Sequence, residues 1–507
     1  MSSTQSRPPA APDILPPPPE SVGFSPIGRL KREFDAERRK RVPYPPGDLG
    51  PSLARTRGFA RNPLPILVDG YERFGPVFTM RVMSVPVVFM LGPEANHFIL
   101  VSNADNFSWR EGSLGDLIPL LGDGLLTTDG AYHRRARKVM LPAFHREQIA
   151  RAGEVMLEEI EAKVDDLAVG DRFDLYDWTR NLALRVAMRA LFGFDPDGRE
   201  GSTARDFEQA LEYYSRDYFV QMLRGPGSPF DRLTKASGRL DKLIHAEITA
   251  RRNAGATDEA KSGDLLGMLI ATTDEQGRGL SDGEIRDQAM TLLFAGHDTT
   301  TSTVTFLMYE LARHPAELAA LIAEQDEVLA GRSPSPADLT GTSLPMLEMA
   351  IEETLRLYPP AWIGPRRAIS DFEFNGIRVP GGVPVNYSSW ASHHLPDVWP
   401  EPEAFRPERF SEKAKALIPK GAYVPFGGGS RTCIGMRFGQ MEVRAIATAL
   451  IRRFRLESKA GYSLSIRQMP TLSPREGMPM TVMQRGVPAT AAQPRPAAGS
   501  GLGGGLA

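Results

Sequence analysis

The stretch Phe426-Gly427-Gly428-Gly429-Ser430-Arg431-Thr432-Cys433-Ile434-Gly435 decides how the rest of the chain is read, because it holds the only cysteine among 507 residues. Glycines at 427–429 and 435 let a backbone approach a flat ligand closely. The residues from Met436 onward predict a helix, whose first N–H groups would point at the sulfur and favour a thiolate. Arg431 adds positive charge two residues away. A lone cysteine is ordinarily a small buried apolar residue, and such a residue needs none of these features.

Working outward, one cysteine rules out an intrachain disulfide and an iron–sulfur cluster with its usual four thiolates. Hydrophobic residues make up 41 % and charged residues 24 %, as in an ordinary globular protein. A formal net charge of −2 argues against nucleic acid or an anionic membrane as the main partner. No run of about 18 apolar residues occurs, and the first residues lack the apolar core of a secretory signal, so no membrane anchor and a cytoplasmic location are expected. Residues 1–24 read as a Pro-rich disordered arm and 486–507 as a disordered Ala/Gly/Pro tail. Between them, 25–485 reads as one helix-rich domain with short strands near its start and after residue 368.

The clearest helix runs from about Ser281 to Arg313. Ser281 and Glu284 have capping-box spacing, and His314-Pro315 ends it. At about 1.5 Å per residue it spans about 50 Å. Its interior carries Ala295-Gly296-His297-Asp298-Thr299-Thr300. Thr291, Ala295 and Thr299 recur at i, i+4 on one face, where small residues leave room for a ligand. Gly296 typically costs about 1 kcal/mol there relative to Ala, a cost that such room explains. Asp298 lies about 100° round from Thr299. The bland alternative is a threonine bonded back to an earlier carbonyl beside a solvated aspartate. A second helix begins near Ser343 and ends before Pro359-Pro360; Glu353 and Arg356 on it can pair at i, i+3. Asn375-Gly376 marks a hairpin turn, and a long irregular stretch then leads to Cys433.

On these residues the chain resembles the cytochrome P-450 superfamily over about 30–480. The matches are F-x-x-G-x-R-x-C-x-G from Phe426, Ala295 to Thr300, Glu353-x-x-Arg356, and Pro407-Glu408-Arg409-Phe410. The resemblance implies a mostly helical fold with small β-sheets, a long central helix over a haem b, and Cys433 as axial ligand to its iron. It implies that Thr299 stabilises bound dioxygen while Asp298 relays protons, with Ala295, Phe426 and Arg431 beside the cofactor. His133 and Arg137, at i, i+4, are expected to clamp the propionates together with Arg366, for which Arg367 is the neighbouring alternative. Glu353, Arg356 and Arg409 are expected to form a buried structural network. His393 and Trp399 match a further family landmark and are expected to be structural. The implied reaction inserts one atom of dioxygen into a lipophilic substrate (fatty acid, terpenoid or sterol-like). The stretch after Cys433 is too short for a fused flavin reductase, so a separate ferredoxin or flavodoxin with its NAD(P)H reductase is expected. Arg135, Lys138 and Arg437 are candidates for its docking patch. Phe294, Thr291, residues 361–363 and the 107–125 loop are pocket candidates, and Tyr213–Phe230 a candidate lid. A peroxygenase on the same fold and a non-catalytic haem sensor are the competing readings; retention of Asp298 and Thr299 favours dioxygen over peroxide.

Overall fold

The computed structural model describes residues 31–486 apart from 32, 36, 39–41, 83–84, 196–200, 217, 222, 255–263 and 275. The N-terminal arm and the tail after 486 lie outside the described residues. A six-stranded sheet forms one side of the molecule from Gly47–Asp48 (β1), Val77–Val82 (β2), Val85–Met90 (β3), Phe107–Ser108 (β4), Gly364–Ala368 (β6) and Pro384–Tyr387 (β9), in the order β1-β2-β3-β9-β6-β4. Arg172–Asp174 (β5) joins Phe454–Ser458 (β10) and Pro479–Gln484 (β13) in a second sheet. Phe372–Phe374 (β7) and Ile377–Val379 (β8) form a hairpin. It turns at Asn375 and Gly376, both at positive φ, as a two-residue turn of this composition requires. Ile466–Arg467 (β11) pairs with Ser473–Pro474 (β12).

The helices that position the site are Gly130–Met140 (α1), Arg146–Asp165 (α2), Leu175–Val186 (α3), Gly201–Ser215 (α4), Pro229–Ala254 (α5), Asp282–Arg313 (α6), Pro345–Leu357 (α7) and Met436–Arg453 (α8). α6 is the helix expected from Ser281: the serine side chain accepts from Glu284 N and the glutamate returns the bond to Ser281 N, completing the capping box. Its all-round burial, from Ile285 to Leu311, makes it the central post of the main core. Helix polarity is therefore decided by neighbours rather than by amphipathic pattern. α7 starts with Pro345 at its first position and ends at Leu357, as the proline signals predicted. At the ends of the aromatic segment 213–230, Tyr213 and Tyr214 are buried and the Phe230 ring lies 5.9 Å from that of Tyr213, whereas residues 223–227 are exposed.

Candidate active site and cofactor cradle

The cysteine loop is fixed by short-range bonds. Cys433 N–H donates to Phe426 O at 2.9 Å, closing the loop across Gly427–Thr432. Gly429 has φ +61, and a Cβ there would meet Leu100 O at 2.3 Å. The glycine is thus required by the approach of protein backbone, not by that of a flat ligand. The Cys433 side chain is exposed. Burial nevertheless dominates its acidity and pushes the thiol pKa up, opposed by the Gly435 N–H and by Arg137. Accessible yet surrounded by protein, the sulfur faces an interior cleft. The helix-terminus expectation holds through Gly435, the residue that caps α8. The cation acting on the sulfur is Arg137, whereas Arg431 turns away. Its guanidinium donates to Leu125 O (3.2 Å), Thr128 O (2.7 Å) and Asp129 Oδ1 (2.7 Å), tying the cysteine loop to the turn before α1.

α1 carries both expected clamp residues. His133 is buried and its pKa is lowered to about 3, first by burial and then by Arg431 and Arg137. It is a neutral imidazole at pH 7, able to donate a hydrogen bond but contributing no charge. Arg137 is lowered by burial, with the Cys433 sulfur acting in the opposite sense. The alternation of β6 sends Arg366 and Arg367 to opposite sides of the strand. Arg367 points outward to an ion pair with Glu33 and to Gly382 O at 2.7 Å. Arg366 points inward, is 2 % exposed and donates Nη1 to Pro365 O, while its buried Nη2 has no hydrogen-bond partner among the described residues. Burial lowers both Arg366 and Arg431 to about 10. A buried guanidinium nitrogen without an acceptor is costly, and an anion such as a propionate would remove that cost. The residues therefore fit a haem.

Along α6 the burial pattern breaks at Phe294, Ala295, Gly296 and Thr299, which are half-buried between fully buried turns. A Cβ at Gly296 would meet nothing within 4 Å, so this face borders open space, as the small residues predicted. Thr291 does not belong to it. It is 3 % exposed and lies under Gly124, where a Cβ would come within 1.8 Å of its hydroxyl. Thr299 Oγ1 donates back to Ala295 O at 2.7 Å. Thr300 points the other way and donates to Glu442 Oε2 on α8 at 2.9 Å. Asp298 is buried, not solvated: Arg180 Nε on α3 reaches its Oδ1 at 3.4 Å, and His297 Nδ1 lies 3.2 Å away. His297 is pushed down to about 4 by burial and is neutral. Arg180 was not legible beforehand, since it lies on another helix with no local motif.

The Glu–Arg–Arg network is present, although the buried Arg409 Nε has no hydrogen-bond partner among the described residues. Arg356 and Glu353 are fully buried and paired through two bonds of 2.8 Å. Arg409 approaches Glu353 at 3.3 Å, and Arg406 N donates to it at 3.0 Å. Arg356 also donates to His393 O, Pro402 O and Ala404 O, holding the irregular stretch that leads to Cys433. His393 and Trp399 are structural: His393 Nε2 accepts from Val424 N at 3.0 Å, and both rings pack around Tyr423. Of the docking cations, Arg135 is bound to Asp274 and Glu284 at 3.1 Å each, which removes it from a free basic patch. Lys138 and Arg437 are exposed.

The family model for cytochrome P-450 matches residues 50–476. Cyclooctatin synthase of Streptomyces melanosporofaciens is 34 % identical over 446 residues, covering 86 % of this chain and 94 % of that protein. Cyclooctat-9-en-7-ol 5-monooxygenase of the same organism is 33 % identical over 449 residues, covering 87 % and 95 %. The structure of retinoic acid-bound cyanobacterial CYP120A1 aligns with a TM-score of 0.77 at 28 % identity, covering 88 % of this chain and all of that one. No helix among the described residues is long and apolar enough to cross a membrane.

Proposed function

Because the chain belongs to the cytochrome P-450 family of haem-dependent monooxygenases, we propose that Cys433 is the axial thiolate of a haem b and that the substrate is a terpenoid lipid. One pair of observations carries the cofactor assignment: the Cys433 sulfur lies within the field of Arg137, and the buried Arg366 holds a nitrogen without a hydrogen-bond partner among the described residues. Arg137, Arg366 and neutral His133 would hold the propionates, and Phe426, Ala295 and Arg431 frame the cofactor. The bound haem supplies activation of dioxygen, one atom entering the substrate and the other leaving as water.

The chain's own part is to place and move protons. Thr299 presents its hydroxyl on the half-buried face of α6, and rotation about χ1 would turn the proton now given to Ala295 O toward the cleft. Asp298, held by Arg180 behind that face, is the acid that resupplies it. Electrons come from a separate ferredoxin or flavodoxin and its NAD(P)H reductase, docking near Lys138 and Arg437. The reducing cytoplasm suits both that supply and an unpaired cysteine. The substrate class is supported by relatives named cyclooctatin synthase and cyclooctat-9-en-7-ol 5-monooxygenase and by a structural neighbour holding retinoic acid, and by the apolar face around Phe294.

Cys433→Ser tests the ligand. The wild type should show the red-shifted reduced-CO absorption of thiolate ligation, and the variant should lose it together with turnover. Retention of both by the variant would remove Cys433 from the iron. Diterpenoids and retinoids, tested beside fatty acids and sterols for an iron spin-state shift, check the substrate class: a response confined to the last two groups would refute it.

A further inference from the structure

We propose that Trp109 and Asp129 are positioning residues that assemble the arginine clamp, the indole standing between Arg366 and Arg431 as a shared cation–π partner and the carboxylate fixing both the indole's backbone and Arg431. The inference rests on the haem assignment above and concerns residues outside the motifs that suggested it.

The placement follows from strand register. β4 pairs antiparallel with β6, Phe107 opposite Ala368 and Ser108 opposite Arg367. The next residue along, Trp109, therefore faces Arg366. The turn that follows lies hard on the same strand: a Cβ at Gly112 would come within 2.9 Å of Pro365 O. The Arg366 guanidinium carbon sits 3.5 Å from the Trp109 ring centroid, and that of Arg431 sits 4.9 Å from it. Both distances are inside the roughly 6 Å at which a ring quadrupole attracts a cation.

Simple apolar packing does not account for this tryptophan. Trp178, Trp362, Trp390 and Trp399 each belong to a hydrophobic core cluster, and Trp109 belongs to none. Two guanidiniums, of Arg366 and Arg431, lie against its ring. Asp129 completes the arrangement. Its Oδ1 accepts from Trp109 N (3.0 Å) and Arg431 Nη2 (2.7 Å), and its Oδ2 from Ser108 Oγ (2.6 Å) and Arg110 N (3.1 Å). Asp129 is also the residue from which α1, bearing His133 and Arg137, departs. Three guanidiniums, of Arg137, Arg366 and Arg431, against one carboxylate leave an excess of two positive charges, which suits a ligand with two carboxylates. Like charges this close repel, so a neutral ring that attracts both keeps the clamp assembled.

The test is haem release from the holoprotein to excess apomyoglobin, followed by the Soret band. Trp109→Leu should release haem about tenfold faster than wild type, the order expected from losing a desolvated cation–π contact. Trp109→Phe, which keeps a ring, should stay within about threefold of wild type. Asp129→Asn should also accelerate release, and all three should keep the thiolate reduced-CO absorption. Unchanged release from Trp109→Leu, or equal release from the Leu and Phe variants, would reduce the ring to filler and overturn the proposal. If Trp109→Leu does not fold, Asp129→Asn decides it, unchanged release being the negative result. A wild-type protein that takes up no haem would instead overturn the cofactor assignment, and this inference with it.

Discussion

Two buried acid–arginine pairs, Glu353 with Arg356 and Asp298 with Arg180, look alike on paper and behave differently in the fold. Arg356 spends its five N–H donors on two Glu353 oxygens and three backbone carbonyls, all at 2.8–3.1 Å, so the pair has no alternative arrangement. Asp298 has one contact of 3.4 Å with an arginine that is a quarter exposed, beside a neutral histidine. A completely satisfied network specifies structure. A weakly held acid next to a cleft can change partners, which is what moving a proton requires. Burial alone does not separate the two roles; the completeness of bonding does.

The sharpest way to break this contrast is by folding. Glu353→Ala leaves a buried guanidinium uncompensated and should cost about 3–5 kcal/mol, read as poor expression or a large loss of Tm. A near-normal Tm would mean that water already serves Arg356. A pH-dependent effect is expected at Glu442, an acid of intermediate kind. It has one protein bond, from Thr300, its Oε1 has no hydrogen-bond partner among the described residues, and burial pushes its pKa up to about 8. The native state then keeps a proton that the unfolded chain loses near pH 4.5. Stability therefore falls as pH rises from about 4.5 to 8, by at most about 1.4 kcal/mol per pH unit, and this contribution levels off above that. Glu442→Gln should flatten that slope, so its Tm should gain on wild type between pH 5 and pH 8. Parallel Tm–pH curves for the two proteins would show that Glu442 is ionised in place.

These cases also mark what the sequence could reveal. The capping box at Ser281, the i, i+3 pair on α7, the Asn375-Gly376 turn and the helix from Met436 are local, and each formed where its spacing placed it. Of the contacts that join distant segments, Arg409 with Glu353 was legible through its motif, and others were illegible or misread. Arg431 was expected to serve the sulfur but spends its donors on residues about 300 positions away. Arg135 was expected to be free and is neutralised by Asp274 and Glu284. Arg180, Trp109 and Asp129 carry no motif, because their roles arise only when α3, β4 and the turn before α1 are packed. Thr291 obeyed the correct periodicity and still missed the cleft, since Gly124 lets a loop close over it.

Asp298→Asn should separate chemistry from folding. Asparagine fits the same volume and the freed arginine is partly solvated, so Tm should shift by less than about 1 kcal/mol equivalent, while product formation falls at least about tenfold. Full turnover by this variant would assign proton delivery elsewhere.

The smallest effect on stability is expected at Thr299, and there the comparison is tightest because a neighbouring threonine serves as control. Thr299 Oγ1 bonds only to its own helix, at Ala295 O, and the side chain borders the cleft. Thr299→Ala removes that back-bond and installs the best helix former, so Tm should hardly move. What should change is the fate of electrons: reductant is still consumed, product per electron pair drops sharply, and hydrogen peroxide rises. Thr300→Ala should do the reverse. It takes away the protein hydrogen bond to Glu442, costing about 1–3 kcal/mol, yet its hydroxyl faces α8 and coupling should stay close to wild type. Product, peroxide and NAD(P)H oxidation measured together for both variants decide the matter. Equal coupling in wild type and Thr299→Ala would make Thr299 an ordinary back-bonded helix residue, and a peroxide-driven reaction would then describe this cleft better.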